Sequence, residues 1–148
     1  MLDIFTRSLR AWYLGTRLNT DLALRPLQRA LQTRRPEIHH SDQGIQYAAP
    51  GYVGRLQAHG VQISMAEAGE PRQNPYAERV IRTIKEEAVY LSGYRNLTEA
   101  RENLGHFIEE VYQNKRIHSA LGYQTPAEFE AQWWQQHCQI QIERQGEQ

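Results

Sequence analysis

The spacing of apolar and polar positions along this chain changes several times, and each change marks an element. Met1 is followed at once by Leu2-Asp3-Ile4-Phe5, which reads as the end of a strand. Leu9 to Leu18 alternates around Trp12 and Tyr13, with Gly15 near its end, and predicts a second strand. Asn19 or Thr20 can cap a helix whose apolar face is Leu22, Leu27, Ala30 and Leu31. Pro26 conflicts with that helix and should kink it or move its start, and Pro36 ends it. Glu37 to Ser41 predicts a short strand, followed by a turn at Gln43-Gly44. Tyr52 to His59 predicts a helix with Val53 and Leu56 on one side, ended by Gly60, and Val61-Gln62-Ile63 alternates like another strand. Ala66 to Pro75 is a polar loop. Tyr76 to about Tyr90 is helical, with Ala77, Val80, Ile81 and Ile84 on one face. Thr98 should cap the next helix, which carries Leu97, Ala100, Leu104, Phe107, Ile108, Val111 and Tyr112 at helical period. The order of strands and helices predicts an α/β layer fold, with an antiparallel hairpin at its start.

Residues 1–129 are expected to form one domain, and residues 130–148 a Gln-rich tail that is a frayed helix or disordered. Trp133-Trp134 in that tail reads as a docking patch. Net charge is zero, so the whole-chain balance gives no argument for a nucleic-acid partner. Its distribution is uneven: seven arginines and one acid, Asp21, lie between Arg7 and Arg35. A basic first quarter can sit near phosphates or be a solvated surface. Cys138 is the only cysteine, which excludes an internal disulfide and a cysteine zinc knuckle. No apolar stretch reaches membrane-spanning length and no secretion pattern opens the chain, so a cytoplasmic location without membrane contact is expected.

Two carboxylates suggest chemistry. Asp42 follows the short strand, Glu78 opens a helix, and thirty-five residues separate them. Hard divalent cations take oxygen ligands, and two Mg²⁺ about 3.5–4 Å apart can activate a nucleophile and stabilise a leaving oxygen in phosphodiester chemistry. Each residue also has a plainer reading. Asp42 can form a turn before Gly44, and Glu78 can simply complement the helix dipole. Glu78, Arg82 and Lys85 recur at helical spacing, so the two basic residues can contact phosphate or belong to a solvated face with an i,i+4 ion pair. His39 and His40 are adjacent on a strand and point to opposite faces, which argues against a shared zinc ion. His40 can orient the acidic site or be a packed strand-end imidazole. His118, after Arg116, can meet phosphate or order the last loop. Gln43 and Gly44 let the backbone turn closely past the carboxylates, while Tyr47 and Tyr52 read as packing residues.

His40-Ser41-Asp42-Gln43-Gly44-Ile45-Gln46-Tyr47 resembles the motif of the second catalytic Asp in the integrase core of bacterial insertion-sequence transposases, relatives of retroviral integrases. Asn74-Pro75-Tyr76-Ala77-Glu78-Arg79 resembles the stretch carrying that family's catalytic Glu, and the interval between the two matches. Asn114 to Tyr123 and Thr125-Pro126-Ala127-Glu128-Phe129 resemble the block closing the domain, and Asp3 to Arg7 a strand end near its beginning. The resemblance implies a ribonuclease-H-like mixed sheet flanked by helices. It also implies a triad of two Asp and one Glu holding two Mg²⁺ or Mn²⁺, with Asp42 and Glu78 as catalytic and metal-binding residues. His40, Gln43, Gly44 and Asn74 would support them. Arg82, Lys85, Arg116 and His118 would contact DNA, alone or with further transposase subunits in a homo-oligomer. Gln73 stands where many members have Asp.

The family's first Asp lies on a first strand upstream of the segment matching Leu2 to Arg7, so the chain is expected to be N-terminally truncated and to lack that strand. Asp3 aligns elsewhere and Asp21 falls in a helix. Strand transfer by the isolated chain should then be weak or absent. Three readings stay open at this point: a piece of a catalytic core for DNA transposition, an inactive remnant that binds DNA or a subunit, and a degraded gene product.

Overall fold

The computed structural model describes the backbone of residues 1–146 and the side chains through His137, Pro71 excepted. Its elements are mixed α and β, with a small parallel sheet and five α-helices among the described residues. They fall into two compact units, one formed by Met1–Leu2 with Leu9–Gly93 and the other by Asp3–Ser8 with the chain from Tyr94 onward.

The first unit is built around a crossover. Helix α1 (Asp21–Thr33) turns Ala23, Pro26 and Leu27 inward. Pro26 neither moves the start nor ends the helix. An internal proline ordinarily costs roughly 3 kcal/mol because it lacks the N–H and crowds the preceding turn; here its buried ring packs on the inward face. The helix stops at Arg34, which is extended, two residues before Pro36. Strand β1 (Ile38–Ser41) runs parallel to β2 (Gln62–Met65), pairing Ile38 with Gln62 through Ser41 with Met65. Parallel strands need a long connection, and helix α2 (Pro50–Ala58) provides it.

Helix α2 ends in a two-bond cap. The Gly60 N–H reaches the Gln57 carbonyl at 2.9 Å, and the Val61 N–H reaches the Leu56 carbonyl at 3.0 Å. Gly60 takes φ +64°, a left-handed conformation that side chains resist. The cap folds Val61 back onto the core, where Ala23, Leu27, Tyr52, Leu56 and Val61 form one buried cluster. Within α2 the buried pair is Tyr52 and Leu56; the expected Val53 is half-buried. Helix α3 (Pro75–Ile84) follows the loop and continues into a π-helical turn, Lys85–Val89. It buries Val80 and Thr83, whereas Ile81, expected on the apolar face, is 53% exposed.

The strand expected from Leu9 to Leu18 does not form. Leu9 makes one antiparallel bridge to Leu2, and Arg10 N–H bonds the Met1 carbonyl at 2.9 Å. The hairpin connection is therefore present in its shortest form. Beyond it the segment is not strand among the described residues, and its positions are used individually: Ala11 is buried, and Tyr13 lies under the Arg25 guanidinium, 5.0 Å from the ring centroid.

In the second unit, helix α4 (Leu97–His106) leads into a π-helical turn, Phe107–Tyr112. Leu104, Phe107, Ile108 and Tyr112 are buried, as their spacing predicts. The cap is Asn96 rather than Thr98. Asn96 is extended and its side chain accepts the Glu99 N–H at 2.9 Å, while Glu99 accepts the Arg95 N–H at 3.0 Å. Helix α5 (Pro126–Gly146) starts from a reciprocal cap. Glu128 accepts the Thr125 N–H at 2.9 Å, and Thr125 Oγ1 accepts the Glu128 N–H at 3.2 Å. The helix runs through Phe129 without a break. Phe5 packs edge-on against Phe129 and Trp133, at 5.4 and 5.9 Å, and Ser8 donates to Glu130 at 3.2 Å. Trp133 is thus engaged within its own unit, stacked also on His137 at 3.9 Å, while Trp134 stays exposed. The Cys138 side chain and residues 147–148 lie outside the described residues. No helix among the described residues is long and apolar enough to cross a membrane.

Leu56 is fully buried at the centre of the first cluster. Leu56→Ala should destabilise that unit by about 2–5 kcal/mol. The urea midpoint, followed by the fluorescence of Tyr and Trp, would fall accordingly; a midpoint within error of the parent would show that the cluster does not hold the unit.

Candidate functional site

The sheet sets the site. Parallel pairing places His40 beside Ser64, and His39 beside Ile63 on the opposite face. His39 and His40 therefore work separately. On one face the Tyr52 hydroxyl lies 2.8 Å from His39 Nε2, which ties α2 to β1. Burial lowers the His39 pKa from 6.5 to about 4 and pushes the Tyr52 phenol up, so a neutral imidazole meets a protonated phenol. Tyr47 packs edge-on against Tyr52 at 5.4 Å, and its phenol is also pushed up, by burial first and then by the charge of Asp42.

On the other face, His40 Nε2 lies 3.1 Å from the Gln73 carbonyl and Nδ1 lies 2.9 Å from Ser64 Oγ. A carbonyl only accepts, so Nε2 carries hydrogen; in the neutral ring Nδ1 then accepts from Ser64. Asp42 follows β1 and is exposed, and its Oδ1 accepts the Gly44 N–H at 2.9 Å. This is the turn that Asp before Gly predicts. It engages one oxygen of the carboxylate. Gln43 is exposed within the turn. A Cβ on Gly44 would stand 3.0 Å from Asp42 Oδ1 and 2.7 Å from Gln46 Nε2, so a larger residue there would have to displace these side-chain ends.

Glu78 is exposed in the first turn of α3. Asn74 occupies the cap position, with no side-chain cap bond, and Pro75 opens the helix. Arg82 and Lys85 are exposed farther along, Arg82 one turn after Glu78 and Lys85 at the first residue of the π turn. Among the described residues no ion pair joins Glu78 to either. Arg116 and His118 belong to the second unit. There His118 is half-buried, edge-on to Tyr112 at 5.3 Å, and its backbone pairs with Gln124 in the final loop. Among the described residues no three His, Cys, Asp or Glu side chains gather as a metal-binding group.

Ser64 and the carbonyl of Gln73 were not singled out by the sequence. Ser64 matters because of the strand register, which local sequence does not encode. Gln73 had a signal, its place at the end of the loop before α3, but a backbone carbonyl carries no residue signature.

Residues 1–71 and 59–126 each match a profile of the integrase core domain. The chain belongs to this family, in the form found in insertion-sequence transposases. It is 32% identical over 132 residues to the transposase for insertion sequence element IS904 of Lactococcus lactis subsp. lactis, covering 87% of this chain and 52% of that protein. It is 29% identical over 136 residues to the transposase for IS629 of Shigella sonnei, covering 90% and 46%. It is 30% identical over 135 residues to the putative transposase InsK for IS150 of Escherichia coli, covering 89% and 47%. The chain therefore spans about half the length of the curated relatives it matches.

The low pKa of His39 has a testable sign. The unfolded chain takes up this proton near pH 6.5 and the folded chain near 4, so the stabilisation is complete above about 6.5 and is lost as pH falls toward 4. Lowering pH from 7 to 5 should reduce stability through this residue by on the order of 1 kcal/mol, allowing for its partial exposure. Urea unfolding of His39→Gln at the two pH values should show a correspondingly smaller drop; an equal drop would remove His39 as its source.

Proposed function

We propose that this chain forms part of a transposase catalytic core with a ribonuclease-H-like fold, acting in DNA transposition by divalent-metal-dependent phosphodiester cleavage and strand transfer. Residues 1–129 belong to that core and residues 130–148 extend from it. Asp42 and Glu78 are the carboxylates this chain contributes to a site for Mg²⁺ or Mn²⁺. When bound, such ions activate a nucleophilic oxygen and stabilise the leaving one. The donor chemistry fits. Both side chains are exposed carboxylates, hard oxygen donors suited to these cations. His40, Gln43, Gly44 and Asn74 support them. Arg82, Lys85, Arg116 and His118 meet DNA phosphates, in the bacterial cytoplasm, with further copies or transposase subunits as protein partners.

The observation that carries this reading is the placement of the two carboxylates. Asp42 stands just past β1 and Glu78 in the first turn of α3, with the loop before α3 bonded back to β1 through His40. A second reading is a piece that binds DNA or a subunit without cutting. The turn at Asp42 favours it, because one carboxylate oxygen is already engaged by the Gly44 N–H.

Two measurements on the 148-residue chain separate these readings. Calorimetric titration with Mn²⁺ should show affinity lowered at least about tenfold by Asp42→Asn and by Glu78→Gln; unchanged affinity in both would end the metal-site reading. Strand transfer on duplex DNA with Mg²⁺ should be weak or absent. Robust cleavage that Asp42→Asn abolishes would instead give the chain a complete catalytic centre and remove the second reading.

DNA binding has its own test. Arg82→Ala with Lys85→Ala should flatten the dependence of log K on log salt by about 0.9 for each phosphate no longer neutralised. An unaltered slope in fluorescence anisotropy would leave both as solvated surface residues.

A further inference from the structure

We infer that His40 and Gln73 form a clamp that sets the position of Glu78 against Asp42, with Gln73 gripping at both ends. Gln73 is exposed and precedes α3 by two residues. Its side-chain Oε1 accepts the Glu67 N–H at 2.8 Å, which closes the loop on itself. Its carbonyl accepts His40 Nε2–H at 3.1 Å, which fastens the closed loop to β1. The His40 ring is in turn fixed by Ser64 at 2.9 Å, on the neighbouring strand. One imidazole therefore joins three segments: β1, two residues before Asp42; β2; and the loop end five residues before Glu78.

The connection from Gln73 to Glu78 is stiff. Pro75 fixes its own φ at the first helical position, and Glu78 lies one turn later. Asn74 contributes no side-chain cap that would anchor the helix start by another route. The loop turns at Gly69, φ +81°, where a Cβ would meet nothing within 4 Å, and inside it the Glu70 N–H bonds the Glu67 carbonyl and the Gln73 N–H the Glu70 carbonyl, each at 3.1 Å. The bond from His40 Nε2–H to the Gln73 carbonyl is what joins this loop end directly to β1. Glu67 and Gln73 thus do for the loop what a fixed turn would do, and His40 transmits the result to the strand that carries Asp42. His40 is a positioning residue on this account. It acts through hydrogen bonds, whichever protonation state it holds, because Nε2 donates in both.

The metal part of this inference rests on the proposed function; the loop part does not. The test uses the full chain, with hydrogen exchange of the Glu67 amide and Mn²⁺ affinity as separate readouts. His40→Ala and Gln73→Ala should each speed exchange at Glu67, and His40→Ala should weaken Mn²⁺ binding about 10–100-fold. His40→Gln places an N–H near the Nε2 position and should restore most of both. The urea midpoint, which reports the Leu56 cluster, should stay close to the parent for all three. Unchanged exchange and unchanged affinity in His40→Ala would overturn the clamp. Affinity lost in Asp42→Asn but kept in His40→Ala would overturn its role at the site while keeping the metal reading. Affinity unchanged even in Asp42→Asn would end the metal reading, and Glu67 exchange would still decide whether the clamp exists.

Discussion

The burial of Leu56 and Tyr52 is what the first unit depends on. Helix α2 has nine residues, opens with Pro50 and contains Gly51 and Gly54. A helix that short is marginal in water, and each internal glycine makes it roughly 0.8–1.0 kcal/mol less favourable than alanine would. Its own propensity does not hold it. Burying Leu56 and Tyr52 against Ala23 and Leu27 of α1 and Val61 beside β2 supplies about 1.5–3 kcal/mol for each large side chain. The helix exists because the core does. The glycine cap at residue 60 then turns the chain so that β2 leaves the core in register with β1.

From that constraint the positions of the candidate residues follow in order. Tyr52 reaches across to His39 and fixes one face of β1. Alternation sends His40 to the other face, where the register brings Ser64 beside it. Asp42 comes next, at the strand's end, where the sheet no longer dictates the backbone and the bond from Gly44 takes over. The inward side of β1, with His39 and Ser41, thus holds the strand in place, and its exposed side, with Ile38 and His40, directs the loop before α3. A single residue step along the strand separates the structural histidine from the positioning one.

Much of this was legible because it is local. The start of α1 after Thr20, the short strand 38–41, the stop at Gly60, the loop 66–75 and the turn at Asp42-Gly44 each depend on residues within one or two turns; of the face expected for α1, Leu27 is buried and Leu31 packs beside it, whereas the buried Ala23 and Pro26 were not on it. The family itself was equally readable from the order of its motifs, and the family match agrees with it. Two of the departures have clear physical causes. Leu9 to Leu18 has a strand's pattern, but a strand requires a neighbouring ladder, which its own residues cannot supply. Thr98 and Asn96 are both good caps, and the choice fell to Asn96 because its partner Glu99 stands three residues on and bonds back to Arg95. The pairing of His40 with Ser64 and Gln73 was not readable, since it depends on strand register and on a backbone oxygen. That Asp42 and Glu78 belong to one site is implied by the family pattern; local sequence alone leaves one as a turn former and the other as a helix-start acid.

Parallel sheets are ordinarily covered on both faces, and two strands alone are a marginal sheet. Here Ile38 is 57% exposed, Ile63 38% and Met65 36%. Apolar burial alone therefore holds this sheet weakly, and it is anchored chiefly through α2. In such a setting, polar ties gain weight relative to a closed core. The bonds from His40 to Ser64 and to Gln73 lie on the exposed side, where no apolar packing would substitute for them. A net bond of this kind contributes only about 0.5–1.5 kcal/mol to stability, too little to decide whether the unit folds. It is enough to shift the loop end by about tenfold between two arrangements. The same bonds that count for little in folding can therefore govern how the start of α3, and with it Glu78, is presented to Asp42.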